Sequence, residues 1–383
     1  MKWEIAKLGD ISKNIQTGPF GSQLHQSDYS ECGIPVVMPK DLVGGKISEE
    51  SIARVDKTHV ERLCRHKIEV GDILYSRRGD VGRCAHVTKK EEGWLCGTGC
   101  LRVTIDSEKA DSRFVFFQLQ HPDTVGWVEK HAVGATMLNL NTTILSSVPI
   151  RLPALEIQKR IADILSAYDD LIENNQKQIK LLEEAARRLY KEWFVDLRFP
   201  GHENTKIVDG VPEGWSRTNI NEILTFHRGY DLTKNEMKAG RYPVVGSTTV
   251  IGYHNEFKIK GPGIVTGRSG SLGKYQFIWD NFWPHNTSLY ISDYKDHNIF
   301  FVYSLLQTVD FASLNNGGAI PTLNRNVLSN IEVIEPTDEL QEMFAKIAEP
   351  QYQKIKNLEK QNNQLKMARD ALLPKLMSGE VEV

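Results

Sequence analysis

Two stretches of the chain, 155–196 and 337–378, carry apolar side chains in alternating steps of about four and three. In the first these are Ile157, Ile161, Ile164, Tyr168, Leu171, Ile179, Leu182, Ala186, Leu189 and Trp193. In the second they are Leu340, Phe344, Ile347, Ile355, Leu358, Leu365, Leu372 and Leu376. Such spacing draws one narrow seam along an α-helix. Pro153 and Pro336 stand just before the two starts, and Gly201 follows the first helix, where each residue type is tolerated. About 42 residues at a rise of 1.5 Å make each helix roughly 60 Å long. A seam of that length is more than a small β-rich domain covers, so the two seams are expected to pack on each other as an antiparallel coiled coil. Two separate amphipathic helices, each docked on its own domain, are the alternative. Asn175 and Asn362 fall on seam positions, where a polar residue sets register at some loss of stability, or on the flank of a local stutter.

Outside these stretches the pattern changes to short runs of Val, Ile, Thr and aromatic residues punctuated by glycine, as in Gly71-Asp72-Ile73-Leu74-Tyr75-Ser76 and Gly263-Ile264-Val265-Thr266. These predict strands of mixed, largely β domains. The chain also repeats itself. At an offset of 183, Leu140-Asn141 falls on Leu323-Asn324, Val148 on Ile331, Ile150 on Val333, Pro153 on Pro336 and Glu156-x-Gln158 on Glu339-x-Gln341. Upstream, Gly79-Asp80-Val81-Gly82 matches Gly270-Ser271-Leu272-Gly273 at 191, and Trp3 matches Trp215 at 212. The expected fold is α+β: two similar β-rich domains and two long helices, related by a pseudo-twofold repeat. The segments are 1–152, 153–198, 199–335 with its linker, and 336–383.

Composition narrows the classes. With 383 residues, 47 Lys+Arg and 49 Asp+Glu, the net charge is −2, and even 1–150 balances at 19 basic and 19 acidic residues. No segment is basic enough to hold nucleic acid by counterion release alone. No apolar run nears the roughly 18 residues of a membrane span, and the N-terminus lacks a signal-peptide pattern, so a cytoplasmic location is expected. The five cysteines, all within the first 100 residues, read as reduced thiols, and a metal set of Cys96, Cys100, Cys64 and His66 lacks a matching second half. There is no GxxxxGK[ST] loop and no HxxxH or HxH pair, so the chain does not read as an enzyme. Asp293-Tyr294-Lys295 reads as a surface turn.

Two similar, non-identical domains on a rigid rod suit a ligand with its own pseudo-dyad, and double-stranded DNA repeats its groove faces every ~34–36 Å. The candidate contacts are glycine turns with polar edges. Arg77, Arg78 and Arg83 surround one such turn, and Arg268, Ser269 and Lys274 surround its repeat. Gly18, Phe20, Ser22 and Gln23 form a second loop, with His227, Arg228 and Tyr230 in the counterpart region. Asn139 and Arg325 lie in the stretches Leu138–Asn141 and Thr322–Asn326 before the final strand of each domain, where Asn141 and Asn324 read as turn or cap residues. Glycine lets backbone approach phosphate, and arginine bridges guanine O6 and N7 or holds phosphate. Solvated hairpin turns are the alternative for all of them. A coiled-coil adaptor with end domains for proteins or glycans, and a degenerate enzyme, are the rival readings of the whole.

The run Leu152-Pro153-Ala154-Leu155-Glu156-Ile157-Gln158-Lys159-Arg160-Ile161-Ala162 resembles the junction between recognition domain and helix in specificity subunits of Type I restriction-modification systems. Trp193-Phe194-Val195-Asp196, Phe199-Pro200-Gly201-His202 and Val211-Pro212-Glu213-Gly214-Trp215 are similar to that family's linker, and Gly18–Ser22 and Ser76–Gly82 to its recognition segments. The second junction, Pro336-Thr337-Asp338-Glu339-Leu340-Gln341, departs from the pattern by lacking the preceding leucine. The resemblance implies a non-catalytic subunit that reads a bipartite double-stranded DNA site through two recognition domains. It implies helices that set the spacer and bind two modification subunits, which methylate adenine at N6, with two restriction subunits as optional further members. S-adenosylmethionine, ATP and Mg would belong to those partners, with no cofactor or metal on this chain. Arg187, Arg188, Tyr190 and Trp193 would be partner-binding positions on the outer helix faces, with solvated helix surface and an apolar anchor at the coil end as the alternative.

Overall fold

The computed structural model describes residues 3–20, 23–134, 138–268, 273–309 and 331–383. Contacts divide the chain into two compact units, Met1–Glu173 with Asn363–Val383, and Asn174–Asn362. Each unit takes one β-rich segment together with part of each long helix, Leu155–Tyr190 and Asp338–Ser378.

The first unit is built on an antiparallel four-stranded sheet in the order Ser12–Thr17, Cys100–Ile105, Ile73–Ser76, Cys84–His86. A second sheet sets Leu95–Cys96 parallel to Ile34–Val37, followed by Ala53–Val55 and Tyr29–Ser30. Glu4–Lys7 pairs with Pro149–Leu152 to bring the ends of the segment together. The helix Ser112–Gln120, capped by the Asp111 carboxylate on the N–H groups of Arg113 and Phe114, buries Phe114, Phe117 and Leu119 against the first sheet. Ile161, Ala162 and Leu165 of one long helix share that core with Leu376 and Met377 of the other.

The second unit repeats this plan. Its four-stranded sheet runs Thr225–Arg228, Ser288–Asp293, Gly263–Gly267, Tyr275–Ile278, again antiparallel. Trp283–Pro284 lies parallel to Tyr242–Val245, and Ser216–Asn219 pairs with Glu332–Glu335. Ile299–Thr308, capped by Asn298, stands where Ser112–Gln120 stands in the first unit. The offsets of 212 and 191 read from the sequence thus join residues at the same positions of the same sheets: Glu4 and Ser216 start the outer pair, and Tyr75 faces Cys84 as Thr266 faces Tyr275.

The helices are antiparallel within each unit. In the second, Asn175 meets Asn362, while Tyr190 and Phe344 pack with ring centroids 5.8 Å apart, so one helix advances as the other retreats. In the first, Asp169 pairs with Arg369. Asn175 and Asn362 are both buried on the seam rather than on its flank, and Asn175 Nδ2 donates to Asn362 Oδ1 at 2.9 Å and to Gln361 Oε1 at 3.1 Å.

Two seam positions differ from expectation. Leu171 is 50% exposed and Ile347 44% exposed, while their neighbours Ile172 and Ala348 are buried. The first seam runs Ile161, Leu165, Tyr168, Ile172, Asn175. Ile164-Leu165 and Leu171-Ile172 are adjacent apolar pairs, so periodicity allowed either register and packing chose one. A turn of wider helix over Lys191–Val195 then brings both Trp193 and Phe194 inward. Trp193, as its seam position predicts, and Tyr190, four residues beyond the seam residue Ala186, therefore do not lie on an outer face. They are buried with Phe344 and Phe301 because their rings fill the core of the second unit. Arg187 and Arg188 are exposed, and Arg188 is paired with Glu184 at 2.8 Å.

Both helix starts use the same device. Gln158 Nε2 donates to the Pro153 carbonyl at 2.9 Å, and its Oε1 accepts from the Asp111 N–H at 3.0 Å. Gln341 Nε2 donates to the Pro336 carbonyl at 3.1 Å, and its Oε1 bonds His297 Nδ1 at 3.1 Å. A buried amide thus ties each long helix to the start of the short helix of its own unit, at the cap Asp111 in the first and at His297, just before the cap Asn298, in the second. Among the described residues no helix is long and apolar enough to cross a membrane.

Candidate nucleic-acid interface

Strand pairing gathers the candidate loops at one end of the main sheet in each unit. Gly18 directly follows the strand Ser12–Thr17, and its N–H donates to Cys100 O at 2.9 Å. In the second unit Gly229 donates to Ser288 O at 3.1 Å. Both glycines are required by close approach: a Cβ on Gly18 would stand 2.0 Å from Gly97 O, and one on Gly229 would stand 2.1 Å from His285 O. Arg77 and Arg268 are likewise equivalent, each the first residue beyond its strand. Arg77 N–H donates to Gly99 O at 2.8 Å, and Arg268 N–H to Thr287 O at 3.2 Å.

In the first unit the arginine turn is a hairpin between Ile73–Ser76 and Cys84–His86, with Gly79 at φ 75°. Leu140 N–H donates to Arg77 O at 2.8 Å, and Arg78 is bridged to Asn139, which carries Asn139 to the same sheet end. The Arg77 guanidinium lies 5.7 Å from the centroid of Phe20, a ring 53% exposed. Arg77 Nε and Asn139 Oδ1 are buried without a hydrogen-bond partner among the described residues. Arg77 and Arg78 have no ion-pair partner there either, whereas Arg83 is neutralised by Asp80 at 2.6 Å. Gln23 Oε1 accepts from Phe20 N–H at 3.2 Å and from Arg65 at 3.4 Å, and Gln23 O accepts from Arg62 at 3.0 Å. Arg62 and Arg65 thus join the loop from some 40 residues away, and no local motif announces them.

In the second unit His227 and Arg228 are exposed, and Arg228 reaches Asp231 at 3.9 Å. His227 stacks near Tyr230 at 6.1 Å, and Tyr230 OH bonds Tyr290 OH at 3.0 Å. Lys274 is exposed beside Gly273 in the hairpin that repeats the arginine turn, and its carbonyl accepts from Thr266 Oγ1 at 3.0 Å. Ser22, Ser269 and Arg325 lie outside the described residues. Asn141 caps the helix Thr142–Ser146 by accepting from Ile144 N–H at 2.8 Å, the cap role expected of it. Asp293 accepts from Lys295 N–H at 2.9 Å in a turn.

No group of three or more His, Cys, Asp or Glu side chains that could hold a metal occurs among the described residues. Burial pushes the Cys84 and Cys96 thiols up to about 12 and the Cys100 thiol upward as well, which keeps them protonated and inert.

The chain matches, over residues 1–184 and 212–367, the family described as the Type I restriction modification DNA specificity domain. Over its full length it is 26% identical to the Type I restriction enzyme MjaIX specificity subunit of Methanocaldococcus jannaschii, covering 94% of that protein. It is 23% identical to the HindI specificity subunit of Haemophilus influenzae, covering 99% of each chain. Its fold is similar to the crystal structure of the Type I restriction-modification system S subunit from M. genitalium, with a TM-score of 0.65 at 20% identity over 98% of this chain and 96% of that one. The chain therefore belongs to the specificity subunits of Type I restriction-modification systems.

Proposed function

We propose that each unit reads one half of a bipartite site in double-stranded DNA through the loops at its sheet end, and that the paired helices set the distance between the halves. The observation that carries this reading is the equivalence of Arg77 and Arg268, each directly beyond the same strand of the same sheet and each without a carboxylate partner among the described residues. A guanidinium so placed can bridge guanine O6 and N7 or hold phosphate. The surrounding loops differ in sequence, so each unit would read different bases. The helices would dock two modification subunits that methylate adenine at N6 and, in a restricting complex, two restriction subunits. Those partners would carry S-adenosylmethionine, ATP and Mg, and this chain would perform no chemistry. The balanced charge supports a division of labour, with non-specific grip on DNA supplied by the partners and sequence selection by local basic turns.

Single-molecule sequencing of the host's DNA with and without this chain tests the reading. Loss of one bipartite N6-methyladenine motif is expected. Retention of every motif, together with failure of any methyltransferase to co-purify, would overturn it.

A further inference from the structure

The sheet end of the second unit holds a cation that no local pattern places there. Lys258 lies on the segment before the strand Gly263–Gly267, and its backbone is pinned: its N–H donates to Phe282 O at 3.1 Å, and Ile259 and Phe282 exchange hydrogen bonds of 3.1 and 3.0 Å. Its ammonium group stands 4.7 Å from the centroid of Trp283 and 5.8 Å from that of Tyr230. Tyr230 directly follows Gly229, is bridged to His285 and bonds Tyr290, so the ring under the cation is itself fixed against the main sheet beside that end.

No carboxylate lies within ion-pair distance of Lys258 among the described residues. Asp231, the acid of this cluster, is already engaged by Arg228 and Asn286. Two aromatic faces hold an ammonium group by their quadrupoles without supplying a neutralising charge. The lysine is therefore positioned, yet keeps its full charge for a ligand. A compact ammonium has no planar fork for a base edge and suits a phosphate oxygen. The first unit also sets a cation on an exposed ring, Arg77 on Phe20, but from a different chain position, since the counterpart of Arg77 is Arg268.

We infer that Lys258 is a phosphate-backbone contact of the second unit, a positioning residue that seats this unit on its half-site without reading base identity. The inference rests on the DNA-recognition reading above. Its test uses the full chain assembled with its modification subunits, with Lys258→Met to keep the apolar stem on the rings and Lys258→Arg to restore the charge. Binding is measured between 50 and 200 mM salt to a duplex carrying the complex's own methylation motif, and to a duplex with the half-site of the second unit scrambled, conditions over which phosphate contacts dominate. Lys258→Met should weaken both duplexes by the same factor, roughly three- to tenfold, and lower the salt slope by about one, with the methylated motif unchanged and Lys258→Arg restoring both. An unchanged slope in Lys258→Met, or a relaxed motif, would overturn the inference while leaving sequence-dependent binding intact. Absence of sequence-dependent binding by the unsubstituted complex would instead bring down the recognition reading and this inference with it.

Discussion

The two units share a scaffold and differ in what they mount on it. Sheet order, the glycine packed on a carbonyl, and the buried glutamine at the helix start recur at equivalent positions. Beyond the equivalent Arg77 and Arg268, the tips do not recur. The first unit presents Arg77 and Arg78 beside Phe20 and Asn139, with Arg62 and Arg65 behind Gln23, whereas the second presents His227 beside Tyr230, with Lys258 set against Tyr230 and the buried Trp283. Positions that hold the fold have few solutions because a carbonyl 2.0 Å from a hypothetical Cβ admits only glycine. Loop tips face solvent and can carry whatever side chains a ligand requires.

The largest test of the shared scaffold is Gly18→Ala against Gly229→Ala. Each forces a Cβ into a backbone carbonyl and should cost about 3 kcal/mol or more, read by thermal unfolding. Tolerance at one site alone would break the equivalence. The next effect belongs to the first unit. Burial, reinforced by the Arg65 and Arg102 charges, holds His66 at about 4, and burial holds His86 at about 4. The unfolded chain binds these protons below about 6.5 and the folded chain does not, so stability falls as pH drops from 6.5 toward 4, by up to a few kcal/mol. The double variant His66→Gln/His86→Gln should flatten that slope in urea titrations taken at successive pH values.

Buried amides sharpen the comparison further. Gln158→Ala and Gln341→Ala each strand a buried proline carbonyl and should cost a similar ~1–3 kcal/mol. Unequal losses would show that the helices are tied to the two units by different means. Asn175→Ala, which strands Asn362, falls in the same ~1–3 kcal/mol range. A gain for the double change to leucine would show that the pair serves register rather than stability. Effects on binding, with the fold left intact, separate the tips: Arg77→Ala and Arg268→Ala should each weaken DNA binding of the assembled complex by about 1–3 kcal/mol while relaxing the motif at different halves. Relaxation of the same half by both would contradict the one-unit, one-half assignment.

Much of the scaffold was legible in the chain because its signals are local or collinear. Helix periodicity, strand runs ended by glycine, and offsets of 183, 191 and 212 need no knowledge of packing. The asparagine pair and the buried glutamines could be picked out for the same reason. Registers were not legible where apolar residues come in adjacent pairs. Leu171 and Ile172 satisfy the seam equally on paper, and only contact with the facing helix buries Ile172. Tyr190, four residues beyond the seam residue Ala186, is carried inward by the α-helix itself, and the wider turn at Lys191–Val195 turns Phe194 inward beside the seam residue Trp193.

Residue order alone dictates a β-rich segment followed by a long seamed helix, repeated once, and where the glycine-bounded basic turns fall. Which turns meet is settled by long-range strand pairing. Gly18 joins Cys100, Gln23 joins Arg65, and Lys258 comes to lie on Trp283 through pairings across tens of residues. A side chain's charge can be read from its letter, but whether that charge is neutralised depends on neighbours that only the folded backbone brings within reach.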